Sequence, residues 1–581
     1  MAIVFAYRGR LGRRPAPDPP ARPCGDPPGT TPLRAPVPPA RGGHSDHGGV
    51  LHGLGARRDH LAHASSALSR VDALVDRLYG WRFNPLYQSG TIAVLLLLVM
   101  LATGLYLLLF YRIGSPYDSV ARMQDQVWSG CWIRTLHRYA SDAAMLAVAV
   151  HALRMFLRRR TWGARALAWV SGLALVSLFM FIAMTGFVMV WDVQGRFLAM
   201  EGARILDVLP IFTEPVSRAF TGERTMPGAF FFLNYFLHIA LPLGMAVFLY
   251  LHVSRIARPK LLPARPMAWG IVGVLTLLSV VRPAPLPPVA DPSVLPHLVP
   301  VDWFFGFWLP VTLRMPAAWV WVAGAALTTA LLTVPLWTRP GRSATPAPSA
   351  VDERYCTGCV QCSLDCPYEA IAMIARSDDR PTLVARVTPE RCVSCGICAG
   401  SCGPMAVGSP GRTGRDQLTR VRRFLDERRP GSDDIVLVAC SRGAGEVGAM
   451  QSFADALVYP ADCIGSLHSS VVEFLIRSGV GGVLVAGCPE RDCWNREGTK
   501  WARARLFDDR DAKLQARVDR ARVRFVEVGA AERAELAARL TKFRHDLAQL
   551  GPAEAERAVA IAGECDLASP ARDEHVEEVR A

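Results

Sequence analysis

The chain has 581 residues, of which 51% are hydrophobic and 20% charged, a blend that fits neither a wholly soluble nor a wholly membrane-buried protein. Its 65 basic and 51 acidic residues leave a formal charge of +14. The arginines, however, cluster at the ends of apolar segments and in a Pro/Arg-rich N-terminal stretch, and neither arrangement is a nucleic-acid-binding module. Of 15 cysteines, 12 lie between Cys356 and Cys493 at regular spacing, which reads as metal ligation in a reducing compartment rather than as disulfides.

In chain order, residues 1–67 are rich in Pro, Arg, Gly and Ala, with scattered histidines (His44, His47, His52, His60, His63). They are expected to form a disordered tail, and they lack the single apolar run of a secretory signal. An amphipathic stretch from Leu68 to Tyr87 leads to apolar runs near 91–111, 135–157, 166–190, 230–254, 267–281 and 317–337. Each is read as a crossing of about 30 Å of hydrocarbon, the fifth being the shortest. Residues 68–340 are thus predicted to be a transmembrane helical bundle of about six spans. Arg158, Arg159, Arg160 and Arg165 follow the second span, Arg255, Arg258, Lys260 and Arg265 the fourth, and Arg339 and Arg342 the sixth. With six spans all three groups share one side, and the positive-inside rule makes that side the cytoplasm, a multi-pass topology in the cytoplasmic membrane. Residues 341–352 read as a linker, 353–410 as a cysteine-rich module, 411–548 as alternating strands and helices, and 549–581 as a polar tail.

The six spans contain four histidines, His137 and His151 on the second and His238 and His252 on the fourth. Each pair is 14 residues apart, so its members share a helix face about 21 Å apart along the axis. Ionisable residues inside a membrane are costly and point to function. A neutral imidazole from each of two helices is what six-coordinate haem iron needs, which predicts two stacked haems, His137 with His238 and His151 with His252. Histidines that only bond one helix to another are the plainer alternative. Gly90 and Gly104, and again Gly172 and Gly186, repeat the interval, and a flat macrocycle can approach a helix where a side chain is missing.

These features resemble the cytochrome b family of quinol-oxidising complexes over residues from about 70 to 340, in a layout similar to the photosynthetic branch with its following three-helix subunit. Gly130-Cys131-Trp132-Ile133-Arg134-Thr135-Leu136-His137-Arg138 resembles the pattern around the family's first haem ligand, and Thr185–Asp192 the segment leaving its third helix. The resemblance implies haem b, propionates paired with Arg134 and Arg138, a quinone substrate and a homodimer; Cys131 reads as a small buried residue. Pro300-Val301-Asp302-Trp303-Phe304-Phe305 resembles the family's quinol-oxidation motif Pro-Glu-Trp-Tyr, with Asp302 in place of the glutamate that receives a quinol proton. An interfacial aromatic anchor is the alternative there. Gln88 stands where some homologues use a cysteine for a further haem, so no covalent haem is expected.

Cys356, Cys359, Cys362 and Cys366 form one Cys-x-x-Cys-x-x-Cys-x-x-x-Cys run, and Cys392, Cys395, Cys398 and Cys402 a second. Two such runs resemble bacterial two-cluster ferredoxins, of α+β fold, in which the last cysteine of each run serves the other cluster. The implied sets are Cys356, Cys359, Cys362 with Cys402, and Cys392, Cys395, Cys398 with Cys366, each for one [4Fe–4S] centre; zinc is the alternative. Beyond them, apolar runs at 434–439, 455–459, 482–487 and 523–528 predict an α/β parallel sheet of flavodoxin-like type. Cys440, Cys463, Cys488 and Cys493 fall at or beyond strand ends, the binding edge of such a sheet, which suggests a [2Fe–2S] site or else structural cysteines. Residues 434–545 resemble the delta iron–sulfur subunit of hydrogenases that feed heterodisulfide reductase, above all in Val485–Cys493; that family usually carries two cysteines after its first strand, and only Cys440 stands here. Gly443-Ala444-Gly445-Glu446-Val447-Gly448 fits a dinucleotide motif but begins too far past its strand. The function expected is electron transfer, as an oxidoreductase subunit, between a membrane quinone and a cytoplasmic partner: a heterodisulfide-reductase-like flavoprotein, a hydrogenase or a formate dehydrogenase. A membrane docking scaffold without quinone chemistry of its own is the alternative.

Overall fold

The structure, a computed structural model, describes residues 60–211, 214–220, 226–254, 259–291, 299, 302–339, 346–378, 380–443, 450–529 and 532–550. Arg255, Arg258, Arg342, Pro300, Val301 and residues 444–448 of the glycine motif lie outside them, as do 1–59 and 551–581.

Helix α1 (His60–Tyr79) opens the described chain, so residues 60–67, expected in the tail, are helical. The reason is local: His60 to Ser69 holds no Pro or Gly, and Ala and Leu favour the helix. Its polarity is reversed. Asp72 and Asp76 are buried, while Val71, Leu74 and Leu78 face outward, as suits a helix lying at an apolar boundary.

Among the described residues, five helices are long and apolar enough to cross a membrane: α2 (Ser89–Leu108), α4 (Gly130–Leu157), α5 (Ala166–Val190), α7 (Gly228–Ser254) and α10 (Ala317–Trp337). The expected fifth span is α8 (Arg265–Val281), whose 17 residues rise about 26 Å, short of a full hydrocarbon core. Short helices α3 (Pro116–Asp125), α6 (Val193–Leu206) and α9 (Leu309–Thr312) lie between the long ones. Helix α2 packs along α4, and α5 along α7, so each histidine-bearing helix is backed by a glycine-bearing one.

Two antiparallel two-stranded sheets follow, β1 (Ala350–Val351) with β4 (Val407–Gly408) and β2 (Ile371–Ile374) with β3 (Val384–Val387). Between them run the short helices α11 (Gln361–Asp365) and α12 (Ile397–Ser401). Helix α13 (Gly414–Arg428), closed by a Thr413–Asp416 capping box, leads to a five-stranded sheet of order β6-β7-β5-β8-β9. The strands β5 (Ile435–Cys440), β7 (Ala456–Ala461), β8 (Gly482–Gly487) and β9 (Val523–Glu527) are parallel, and the short β6 (Ser452–Phe453) pairs antiparallel on the edge. Helices α13, α14 (Ser469–Arg477) and α15 (Gly498–Phe507) cover one face and α16 (Arg533–Leu550) the other. Burial on both faces explains why β5 and β8 read as unbroken apolar runs.

The two halves meet through charge. Arg154, one turn beyond His151, binds Asp72 of α1 at 2.5 Å and Asp492 of the sheet domain at 3.0 Å. Arg158 binds Asp72 at 2.7 Å, and Arg160 binds Asp492 at 3.2 Å. Burial opposes the Asp492 charge, yet Arg160, Arg154 and Arg158 together hold its carboxyl below the usual range. Arg165 donates to the Tyr368 hydroxyl and the Trp494 carbonyl, both at 2.7 Å, and Lys260 pairs with Glu490 at 2.5 Å. Arginines read from the sequence as topology signals are therefore also the seat of the C-terminal lobes. Replacing Asp72 by Asn removes a charge whose side chain is 4% exposed beside an Arg154 that is 2% exposed. Breaking such a buried pair costs about 3–5 kcal/mol, so the unfolding midpoint of the detergent-solubilised protein is expected to fall clearly; an unchanged midpoint would mean the pair is not desolvated.

Candidate cofactor sites

The four membrane histidines converge as two pairs. The His137 and His238 rings stand 6.4 Å apart between centroids. Metal–nitrogen bonds of about 2 Å on each face would bring two imidazoles sharing one iron to about 6 Å between ring centres. His151 and His252 form the second pair, close enough to feel each other's charge. It is the pair nearer the arginine seat of the C-terminal lobes.

Each ring rests in a notch on the neighbouring helix. A Cβ at Gly90 would lie 2.9 Å from His151 Cε1, at Gly104 3.3 Å from His137 Cε1, at Gly172 3.3 Å from His252 Cε1, and at Gly186 2.8 Å from His238 Cε1. The repeated glycines thus admit the edge of an imidazole, where the sequence reading expected the face of a macrocycle. A hydroxyl precedes every one of them: Ser89, Thr103, Ser171 and Thr185. Thr103 Oγ1 donates to Val99 O at 2.8 Å and meets His137 Nδ1 at 2.9 Å. Ser171 Oγ donates to Ala168 O at 3.1 Å and meets His252 Nδ1 at 3.0 Å. Thr185 Oγ1 donates to Ile182 O at 2.7 Å, and His238 Nδ1 lies 3.2 Å from that hydroxyl and 2.9 Å from the Ile182 carbonyl. Since each hydroxyl proton is already given to its own helix, the hydroxyl accepts from the ring. In these three the proton sits on Nδ1, and Nε2 keeps the lone pair a metal needs. The sequence reading missed these hydroxyls, although a Ser/Thr-Gly dipeptide stands at each of the four equally spaced glycines. Ser89 instead donates to Leu86 O.

The other residues expected near this site are committed elsewhere. Arg134 donates to Ala284 O and Pro285 O, both at 3.2 Å. Arg138 lies over the Phe187 ring at 4.2 Å, pairs with Asp302 and approaches Asp142 at 3.6 Å. Asp302 also accepts the backbone N–H of Phe304 at 3.0 Å and Phe305 at 2.6 Å. Cys131 is half-buried at the start of α4.

The two cysteine runs fold as a repeat displaced by 36 residues, Cys356 onto Cys392. Left-handed residues recur at that offset: Gly358 with Ser394, Val360 with Gly396, Glu369 with Met405. Val360 at φ 68° is β-branched, and such a conformation costs about 1–3 kcal/mol unless the surroundings demand it. Ala370 N donates to Cys366 Sγ at 3.3 Å and Ala406 N to Cys402 Sγ at 3.2 Å, again 36 apart. A pocket of about 320 Å³ is lined by Cys356, Cys359, Cys362 and Cys402, the crosswise set implied by the resemblance. Cys366, Cys392, Cys395 and Cys398 lie within electrostatic reach of one another. Burial raises the Cys398 thiol to about 12, a cost that bound cations would reverse.

In the sheet domain, Cys440 ends β5, Cys463 follows β7, and Cys488 and Cys493 follow β8. They line a pocket of about 210 Å³ with Arg442, Trp494 and Asn495. Cys440 and Cys488 Sγ are 3.6 Å apart, and hydrogen bonds from Cys463 and Cys488 favour the Cys440 thiolate. Gly443, the first glycine of the dinucleotide-like motif, packs against Cys488, where a Cβ would be 3.0 Å from its nitrogen. Among the described residues no group of three or more His, Cys, Asp or Glu is arranged around a single ion. What each pocket does offer is four thiols in its lining, a donor set of the kind that holds iron–sulfur groups.

Residues 74–259 match the family model for cytochrome b/b6/petB, and residues 435–551 that for the delta subunit of methyl-viologen-reducing hydrogenase. A solved structure titled "Hyperthermophilic respiratory Complex III" is similar at 17% identity and a TM-score of 0.35, over 43% of this chain and 75% of that one. The chain therefore carries a cytochrome b/b6 domain and a hydrogenase-delta-like domain, and it is a multi-pass membrane electron-transfer protein. Gly186→Val should drive His238 from its notch and halve the b-type haem content measured as pyridine haemochrome. Gly244→Val, where nothing lies within 4 Å of the added carbon, should not. Equal haem in both variants would mean the notch does not hold the ring.

Proposed function

We propose that this protein links the membrane quinone pool, through two b haems and three iron–sulfur centres, to a soluble redox partner on the cytoplasmic side. The observation that carries the reading is the facing of paired imidazoles, three of which (His137, His238, His252) have Nδ1 tied back to hydroxyls or carbonyls in the helices behind them. His137 with His238, and His151 with His252, would hold one haem each, supplying one-electron iron chemistry across the bundle. Cys356, Cys359, Cys362 and Cys402, and Cys366, Cys392, Cys395 and Cys398, would each hold a [4Fe–4S] centre in a ferredoxin-like module, and Cys440, Cys463, Cys488 and Cys493 a [2Fe–2S] centre. The basic Arg158–Arg165 connection supports the cytoplasmic assignment, because it touches the cysteine-bearing lobes directly. The partner classes supported by the delta-like domain are a heterodisulfide-reductase-like flavoprotein, a hydrogenase or a formate dehydrogenase, with flow in either direction. A homodimer and α8 as a sixth crossing belong to the same proposal.

At the opposite end, Asp302 is the proposed proton acceptor for quinol. Protonating it would release Arg138. The neighbouring Asp142 carboxylate can hold that guanidinium, since its Oδ1 is buried without a hydrogen-bond partner among the described residues. Asp302→Asn should slow quinol-driven haem reduction by roughly a hundredfold or more while leaving the haem spectrum intact. The purified protein should show bis-histidine b-type spectra and about ten non-haem irons per chain, with both haems and clusters reduced by quinol. Replacing any one of the four histidines by Ala should remove one haem signal. Two haems without the extra iron would refute the cluster chain, and clusters that quinol never reduces would leave a docking scaffold.

A further inference from the structure

The four-cysteine pocket of the sheet domain comes later in the chain than the ferredoxin-like module, yet it is seated against the membrane helices. The geometry points to a relay order that differs from chain order: from the His151/His252 pair to the Cys440/Cys463/Cys488/Cys493 centre, then to the Cys366/Cys392/Cys395/Cys398 centre, and last to the Cys356/Cys359/Cys362/Cys402 centre at the solvent face. The inference rests on the proposed function and adds the sequence of its steps.

Three junctions carry it. The first joins the membrane to the sheet domain. Arg154, one turn from His151, and Arg160 grip Asp492, whose neighbour is Cys493. The next residue, Trp494, forms part of the four-cysteine pocket wall and lies under the guanidinium groups of Arg160 at 5.2 Å, Arg165 at 5.0 Å and Arg442 at 4.5 Å. The second junction joins the sheet domain to the second cysteine run. Cys463 leads into Ile464-Gly465-Ser466, which packs on Cys395-Gly396-Ile397-Cys398. A Cβ on Gly396 would lie 2.8 Å from Ser466 Cβ, and one on Gly465 2.9 Å from the Ile397 side chain. The third lies within the module, where α11 and α12 each carry a cysteine of one set (Cys362, Cys398) and are followed at once by a cysteine of the other (Cys366, Cys402). The pocket of the Cys356 set is lined only by residues between 351 and 407, and Cys359 is exposed.

With haem held by the histidines and iron–sulfur groups by the cysteines, each transfer would move one electron, oxidising the site it leaves and reducing the one it enters, with no bond made or broken within the chain. A competing entry exists. Tyr368, two residues past Cys366, accepts a hydrogen bond from Arg165, and through it electrons could pass between the membrane and the second centre directly.

The test uses the full chain in lipid nanodiscs, first verified by its b-type spectrum, iron content and cluster EPR; failure at that stage would reject the proposed function rather than the order. Methyl viologen radical cation, oxidised to the dication as one iron site gains its electron, is mixed with oxidised protein in stopped flow. Haem reduction is followed optically and cluster reduction by freeze-quench EPR. In Cys488→Ser the fast phase of haem reduction should be lost, while both [4Fe–4S] signals appear at the wild-type rate. Trp494→Ala keeps all four ligating sulfurs, and it should slow the haem phase with every cluster signal retained. Haem reduction at the wild-type rate in either variant would overturn the order, in favour of the Tyr368 entry or of direct reduction from solvent.

Discussion

An imidazole inside a helical bundle in hydrocarbon must satisfy both of its ring nitrogens, because no water is there to do so. This protein meets the demand with a repeated device. A Ser or Thr turns its own proton back to its helix and accepts from Nδ1, and the glycine that follows leaves room for the ring edge. Helix pairing, the close approach of α2 to α4 and of α5 to α7, and the alignment of ligands at two levels all follow from seating those rings.

The same logic, with charge in place of the ring, governs the boundary between the membrane bundle and the C-terminal lobes. Three arginines and two aspartates share a largely buried site that joins α1, α4 and the segment before Cys493. None of these charges is stable alone at such burial. Assembly of the cluster therefore requires the amphipathic helix, the long span and the sheet domain at once, which makes docking a condition of satisfied charge rather than of apolar area. The inverted α1, with acids inward and leucines outward, is the visible consequence.

Much of this was legible in the residues. Spacing alone identified the paired histidines and the doubled cysteine runs, because side chains that must share one helix face or one loop recur at rigid intervals along the chain. The four parallel strands of the sheet domain were found within a residue or two, since burial on both faces leaves continuous apolar runs such as Ile435–Cys440 and Gly482–Gly487, while the two-residue edge strand β6 left no such run. The shared glycine interval was noticed and read as room for a cofactor face, while the close approach of each neighbouring imidazole to the same glycines became visible only in the fold. The Ser89, Thr103, Ser171 and Thr185 hydroxyls were overlooked because small polar residues in a span look like ordinary packing. Arg138 and Asp302 were read apart, as a propionate partner and a proton acceptor, and only folding made them partners of each other.

What the sequence by itself determined is the inventory: where histidines and cysteines recur at fixed intervals, which segments are apolar helices, and which parallel strands are buried. Such properties are local or periodic, so they survive in one dimension. Only the tertiary structure decided adjacency. It set Asp492 among the span's arginines, Ser466 against Gly396, and the last cysteine group nearest the membrane. Those contacts join residues separated by tens to hundreds of positions, and they are selected by the collective requirement to pair buried charge and fill space, for which no interval along the chain is a record.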